Sequence, residues 1–437
     1  MRKLVLFIFI MMTGLSAQTR NLTLQESLEI GMKNSKDLKI SHSKVIGSDA
    51  KVTEAGAQLL PQIKFGASYT RLSSIPPFEV SLPIFPAPIQ ISPVILNNYN
   101  LRLSLQQPIF TGLKLWSYKS AAENNYKAEK LDYTKERNEV AYKIESAFWN
   151  YYKAEQMQKL IGENMNQVKQ HLEDTKHYMA NGLVTQNDVL KLEVEYSNAR
   201  LRKIDADNNA DLAGIAFNQA LGLPLDDSTG IAAGKIEASL VSSKPSDLIT
   251  EAKENRPELK SLEMRVRASQ NVVTAAKGNW FPSVYLTGNY YYSRPNQRII
   301  PAVDKFKDTW DVGVALSWDI LTWGGRSSKV TEAEQSKVQA ETTLSQLKDA
   351  VEIEVYQSYL NLKRTYQRVE VSALSVRQSE DNYRMIQDKY NNQVASSTDL
   401  IDAETSLLEA KTNYNNALVD YELAKAKLAK AVGRKIY

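Results

Sequence analysis

Residues 280–290 read Trp280-Phe281-Pro282-Ser283-Val284-Tyr285-Leu286-Thr287-Gly288-Asn289-Tyr290, and residues 59–69 read Leu59-Leu60-Pro61-Gln62-Ile63-Lys64-Phe65-Gly66-Ala67-Ser68-Tyr69. Each is a bulky apolar pair and a proline followed by an alternating segment that ends on tyrosine. The later copy lies about 221 residues after the earlier one. Further on the offset settles at about 211 and holds without a gap. Leu105 falls on Leu316, Ile109 on Ile320, Val140 on Val351, Asn150 on Asn361, Asp188 on Asp399 and Gly222 on Gly433. So long a period does not suit a short solenoid repeat. It points to one large unit duplicated and fused, with function residing in a pseudo-symmetric assembly.

The alternating segments come in pairs. In the first pair, Ile63, Phe65, Ala67 and Tyr69 share a face, and so do Tyr99, Leu101, Leu103 and Leu105. In the second pair, Val284, Leu286 and Tyr290 share one face, and Trp310, Val312, Val314, Leu316 and Trp318 share another. Period two, an apolar face and aromatic ends describe strands of a membrane barrel. A soluble hairpin with one buried face has the same periodicity. Four strands cannot close a barrel, and open edges are not tolerated in lipid. The smallest barrels need about eight strands, so the chain is expected to oligomerise, three copies supplying about twelve.

Proline maps the rest. None of the 14 prolines lies between Pro108 and Pro224, and none follows Pro301, so these two stretches can hold long helices. In the second, Val330, Ala333, Ala340, Leu344, Leu347, Val351, Leu362, Val369 and Val376 fit alternating three- and four-residue steps. Lys337, Glu354, Ser358 and Thr365 interrupt that seam, and Val355, Tyr359 and Tyr366 mark a second stripe beside it. Two adjacent stripes suit helices packed on both flanks, as in a cylinder wall. Each stretch breaks at the same place. Asn181-Gly182-Leu183-Val184 ends the first helix, and Thr185-Gln186-Asn187-Asp188 forms a capping box that starts another. Ser396-Ser397-Thr398-Asp399 repeats the box.

The boundaries that follow are a signal peptide at 1–17, a first repeat at 18–222, a linker at 223–245 and a second repeat at 246–437. The first repeat carries strands at about 62–72 and 99–109 and a long helical hairpin at 113–221. The second carries strands at about 283–293 and 310–321 and a hairpin at 326–432. Arg2-Lys3, the apolar run Leu4 to Met12 and Leu15-Ser16-Ala17 make up the signal, the run being too short for a membrane-spanning helix. The loop from Ser73 to Asn98 is proline-rich and apolar, suited equally to folding over a pore mouth and to remaining a disordered outer loop.

Charge is dense but nearly balanced at +4, which gives no electrostatic case for nucleic acid. There is no cysteine and no Gly-rich phosphate loop, and the three histidines, His42, His171 and His177, read as surface residues on polar helices. Neither an enzyme, a metal site nor a cofactor is expected.

Several signatures coincide: the duplicated helix-strand-strand-helix unit, Gln107-Pro108-Ile109-Phe110-Thr111-Gly112 before the first long helix, and Gly182-Leu183-Val184-Thr185-Gln186-Asn187-Asp188-Val189-Leu190. With Asp399-Leu400-Ile401-Asp402-Ala403-Glu404 and the repeat ends at Gly222 and Gly433, they resemble the TolC-like outer-membrane efflux family over essentially the whole mature chain. The resemblance implies a mixed α/β membrane protein: a homotrimer whose 12-stranded β-barrel, four strands per chain, lies in outer-membrane lipid and joins a long periplasmic α-helical barrel. It implies an exit duct for small molecules, working with a periplasmic adaptor protein and an inner-membrane pump. Type I protein secretion and a structural periplasmic coiled-coil protein are the alternatives.

The resemblance also assigns roles. Asp399 and Asp402 fall where acidic residues ring the periplasmic constriction, although both also suit the first turn of a helix. In the first copy Asp188 keeps the capping position while Lys191 stands where Asp402 stands. Tyr390 matches a tyrosine that helps tie the closed tips, and its basic partner position is Ala395 here. Gly182, Leu183, Val184 and Thr185, with Val394, Ala395, Ser396 and Ser397, are the expected adaptor-contact tips.

Overall fold

A computed structural model describes residues 20–81, 83–239 and 243–435, so the expected signal segment lies outside the described residues. The described residues begin with β1 (Arg20–Leu22), α1 (Leu24–Asn34), α2 (Lys36–Ala57) and β2 (Gln62–Arg71). Then come β3 (Phe78–Val80), β4 (Ile89–Ser92), β5 (Asn97–Phe110), α3 (Lys114–Ala180) and α4 (Gln186–Leu221). The remainder is β6 (Thr229–Ile231), α5 (Pro245–Asn255), α6 (Pro257–Gly278), β7 (Ser283–Arg294), β8 (Lys307–Ser317), α7 (Gly325–Asn391) and α8 (Ser397–Val432). The two proline-free stretches are α3–α4 and α7–α8. Each long helix has 67 residues and so runs about 100 Å.

Two compact units of the described residues cut across the sequence repeats: one lies within 20–42, 132–258 and 347–435, the other within 43–131 and 259–346. The second unit contains a four-stranded antiparallel sheet of order β2-β5-β7-β8. One row of directly paired residues, Phe65, Leu103, Tyr290 and Trp310, crosses the whole sheet on its apolar face. All four are exposed. The next row, Lys64, Ser104, Asn289 and Asp311, is polar. On that face Arg102 donates to Asn289 Oδ1 at 2.8 Å, and Asn289 donates to Asp311 Oδ1 at 2.7 Å. One face is therefore oily and unpacked, and the other is hydrogen-bonded.

β8 begins at Lys307 and stops at Ser317 instead of spanning 310–321. Its partner β7 sets both limits. Ser293 pairs with Lys307 and Ser283 with Ser317, and beyond Ser283 stands Pro282, which has no N–H to extend the ladder. Trp318 leaves the strand, and its indole donates to the Trp280 carbonyl at 3.2 Å. Within the Ser73–Asn98 loop, β3 and β4 pair antiparallel, with Phe78, Ile89 and Ile91 exposed.

The first unit holds a buried cluster, with Ile144, Phe148 and Phe217 from α3 and α4 packed around Leu22 and Leu28. The 223–245 segment is more than a linker. Its β6 pairs in parallel with β1, Leu22 lying opposite Ile231, and Tyr151 donates to the Thr229 carbonyl at 2.9 Å. A three-residue strand paired with the chain start carries no periodicity for sequence reading to detect. The repeat ends are alike: Gly222 (φ 67°) and Gly433 (φ 79°) both close their helices in the left-handed conformation. Gly222 lies against Asn34 at the end of α1, and Gly433 against Asn255 at the end of α5.

In α7, the seam residues Val351, Leu362 and Val369 are buried, and so are Ser358 and Thr365, which interrupt it. Thr365 satisfies its hydroxyl by donating to the Leu362 carbonyl at 2.9 Å. Small hydroxyl residues are therefore part of the packed face.

Candidate functional site at the hairpin tips

The two tips are built on the same plan. Gly182 has φ 72°, with its amide bonded to the Met179 carbonyl and that of Leu183 to the Tyr178 carbonyl. At the second tip Gln393 has φ 62°, with the corresponding bonds to Tyr390 and Lys389. This is the αL helix ending that favours glycine, and the second copy performs it with a side chain. Space around Gly182 is open, with no atom within 4 Å of where a Cβ would sit. Gly182→Ala is therefore expected to cost about 1 kcal/mol from backbone conformation alone, and Gln393→Gly to gain a comparable amount. Hydrogen exchange at each tip measures both.

After each turn a capping box restarts the chain. Thr185 accepts from the Asp188 amide, and Asp188 Oδ2 accepts from the Thr185 amide at 3.0 Å. Ser396 and Asp399 do the same, with Asp399 Oδ2 accepting from the Ser396 amide at 2.9 Å and its hydroxyl at 2.7 Å. Bonds from Thr185 hold the Asp188 carboxyl below its ordinary range, and bonds from Ser396 do the same for Asp399. With native values lowered, both caps are fully formed above the ordinary aspartate range and are lost as pH falls through the lowered values.

The structure separates the two candidate ring acids. Asp399 is exposed and committed to its cap. Asp402, one turn later, is exposed and has no hydrogen-bond or ion-pair partner among the described residues. Its counterpart Lys191 donates to Thr398 Oγ1 at 3.0 Å, and Ser397 donates to Asp188 Oδ1 at 2.9 Å, so the starts of α4 and α8 are bonded to each other. Ser397 is buried by this contact. Thr185 and Ser396 are capping residues, Val184 and Ala395 are half-buried, and Gly182 is exposed. Leu183 and Val394 project, with Val394 75% exposed.

Tyr390 is buried, and its hydroxyl lies 2.6 Å from that of Thr175, which donates to the His171 carbonyl at 2.7 Å. It ties α7 to α3 within one chain. The small Ala395 leaves the expected basic position vacant, and Thr175 takes the tyrosine.

His171 is not a surface residue as its polar helix suggested; it is 6% exposed. Its Nε2 lies 3.0 Å from Glu404 Oε1 and 3.1 Å from the Tyr383 hydroxyl. Glu404 is equally buried, and burial pushes the Tyr383 phenol up. His171 on α3, Tyr383 on α7 and Glu404 on α8 form a polar knot that sequence reading missed. Glu404 was in view only as the end of an acidic run, and nothing in the spacing says that a partner waits on another helix. His177 is exposed. Among the described residues no group of three or more His, Cys, Asp or Glu could hold a metal ion.

The arrangement is a pair of capped helix starts bonded to each other, with one acid, Asp402, standing forward. The sequence pattern of outer membrane efflux proteins matches residues 30–223 and 248–434, one match for each repeat. The chain belongs to the outer membrane efflux protein family. It is 21% identical over 390 residues to the outer membrane protein TolC of Vibrio cholerae, covering 87% of this chain and 84% of TolC. Its fold matches that of the Campylobacter jejuni CmeC outer membrane channel with a TM-score of 0.79 at 18% identity, covering 94% of this chain and 85% of CmeC. It also matches VceC of Vibrio cholerae with a TM-score of 0.76 at 18% identity, covering 95% and 97%. This efflux-family chain is thus an outer-membrane protein. No helix among the described residues is long and apolar enough to cross a membrane.

Proposed function

We propose that this protein is the outer-membrane exit duct of a tripartite efflux system, passively conducting small molecules expelled by an inner-membrane pump through a periplasmic adaptor. The observation that carries the reading is the incomplete sheet. β2 and β8 are each paired on one side only among the described residues, and the apolar face is exposed along β2 and β8 and partly exposed along β5 and β7. Lipid accepts that face but not those edges, so β8 of one copy must pair with β2 of another. Three copies close about twelve strands around an open lumen.

The helices support the same assembly. Leu190, Val194, Leu201, Ile204, Leu212 and Ile215 leave an exposed apolar stripe along α4, and Ile353, Leu360, Val371, Leu374 and Met385 leave another on α7. Both have coiled-coil spacing and lack a partner in the single chain. Side-by-side packing of three copies covers both and forms the α-helical barrel. Leu183 and Val394 at the tips are the adaptor contacts in this reading. Recovery of the protein in a detergent-free soluble extract would sink the reading.

Three copies of Asp402 would face one axis and favour cations. Asp399 lends its charge while serving its cap. Asp402→Ala is therefore expected to lower the cation-to-anion permeability ratio in planar-bilayer recordings, and more than Asp399→Asn, which keeps a capping side chain. An unchanged ratio in Asp402→Ala would return that residue to a helix-dipole role.

A further inference from the structure

At the strand-to-helix junctions of the sheet-bearing unit lies a cavity of about 370 Å³, lined among others by Lys114, Asn279, Asp319, Thr322, Arg326 and Lys329. Arg326 is 8% exposed, and its guanidinium lies over the Trp280 ring at 5.5 Å. Its Nη2 is buried with no hydrogen-bond partner. Among the described residues no carboxylate stands within ion-pair distance of Arg326, Lys114 or Lys329, including Asp319 on the same wall. A buried guanidinium without a counter-ion is disfavoured by desolvation, so the cavity lacks an anion.

The backbone sharpens the demand. Lys114 begins α3, and Arg326 is the second residue of α7, so the positive dipole ends of two helices stand at this region. Neither helix has an acid in its first turn. Helices α1, α2, α4, α5, α6 and α8 each have one: Glu26, Asp37, Asp188, Asp247, Glu258 and Asp399. Where the other helices supply their own anion, these two present cations. A planar guanidinium beside helix amides is the chemistry that binds phosphate oxygens.

We propose that this cavity binds the phosphate of a phospholipid headgroup at the periplasmic surface of the outer membrane, which rests on the outer-membrane duct reading. The surroundings favour lipid over a free ion. Trp280, Phe281, Trp318, Trp323 and Leu321 are exposed beside the strand ends, as aromatic and aliphatic residues are at headgroup level. A headgroup with an ammonium next to its phosphate, such as ethanolamine, also satisfies Asp319. Each copy would then be anchored at the level where strand becomes helix.

The test uses the full-length protein purified in detergent, with phosphatidylethanolamine added and retained lipid counted by native mass spectrometry. Wild type is expected to hold the lipid, with Arg326→Gln and Lys329→Gln weakening retention about tenfold. Lys329 is exposed, so its substitution leaves folding intact if Arg326→Gln does not. Equal retention by wild type and both variants overturns the proposal, as does displacement of the lipid by equimolar inorganic phosphate. Conductance of the same preparation separates the two readings. A conducting protein that ignores the lipid refutes only the headgroup site, whereas a non-conducting one refutes the duct.

Discussion

Gly278→Ala is expected to abolish folded protein in the outer-membrane fraction. A Cβ at position 278 would stand 2.4 Å from the Gly112 carbonyl oxygen and 3.3 Å from its carbon. Gly112, at φ 63°, would place its own Cβ 2.2 Å from the Gly278 oxygen. The obstacle in both directions is backbone, so no rotamer change relieves it. Ordinary contact requires the end of α6 and the turn into α3 to part by about 1 Å, which separates elements that set the register of β5 and β7. We expect a loss of about 3 kcal/mol or more, near the upper range for overpacking. Gly47→Ala is the control. It lies inside α2 with no atom within 4 Å of the added carbon, and helix propensity predicts a gain of about 1 kcal/mol. Heat-modifiable mobility of the membrane-extracted protein reads both. Normal yield of Gly278→Ala would show that the junction is looser than its geometry.

That junction also shows what the sequence conveys and what it hides. The long helices announce themselves because proline is absent and the breaks repeat, and the structure turns the chain at Gly182 and Gln393. The strands announce themselves by period two, because one face meets lipid. A local pattern exists wherever a single element meets a uniform environment. It fails where two distant segments meet each other. β1 with β6, Gly112 with Gly278 and Arg326 with Trp280 are pairings between positions whose residue types are locally unremarkable. At the tips, the caps were legible because a capping box is written in four consecutive residues. The burial of His171, the bond from Ser397 to Asp188 and the pairing of Tyr390 with Thr175 were not, since each is decided by the rotation of one helix against another. Asp399 illustrates the boundary: its cap could be read from Ser396 three residues before it, while no local pattern says what Asp402, one turn later, faces.

His171→Leu is expected to destabilise the tip-bearing unit by about 3 kcal/mol, and adding Glu404→Leu should restore most of the loss. Glu404 is 4% exposed; its Oε1 lies 3.0 Å from His171 Nε2, and its Oε2 has no partner. Neither carboxylate oxygen has a well-aligned hydrogen bond, so the imidazole is the close partner the carboxylate has among the described residues. Without it, a buried polar group is left uncompensated, which loosens the packing of α3 against α8. Without both, the Tyr383 hydroxyl is the polar group left of the knot, and Leu172, Leu400 and Leu407 on the same helices are buried. A double-mutant cycle followed by thermal unfolding isolates the pair from the volume change. Losses that simply add would show that His171 contributes packing and not charge. The effect should reach the tip, because Thr175 donates to the His171 carbonyl in the same turn of α3 and accepts from the Tyr390 hydroxyl. Faster hydrogen exchange around Tyr390 in His171→Leu, reversed in the double variant, would identify the buried pair as what holds the hairpin ends still.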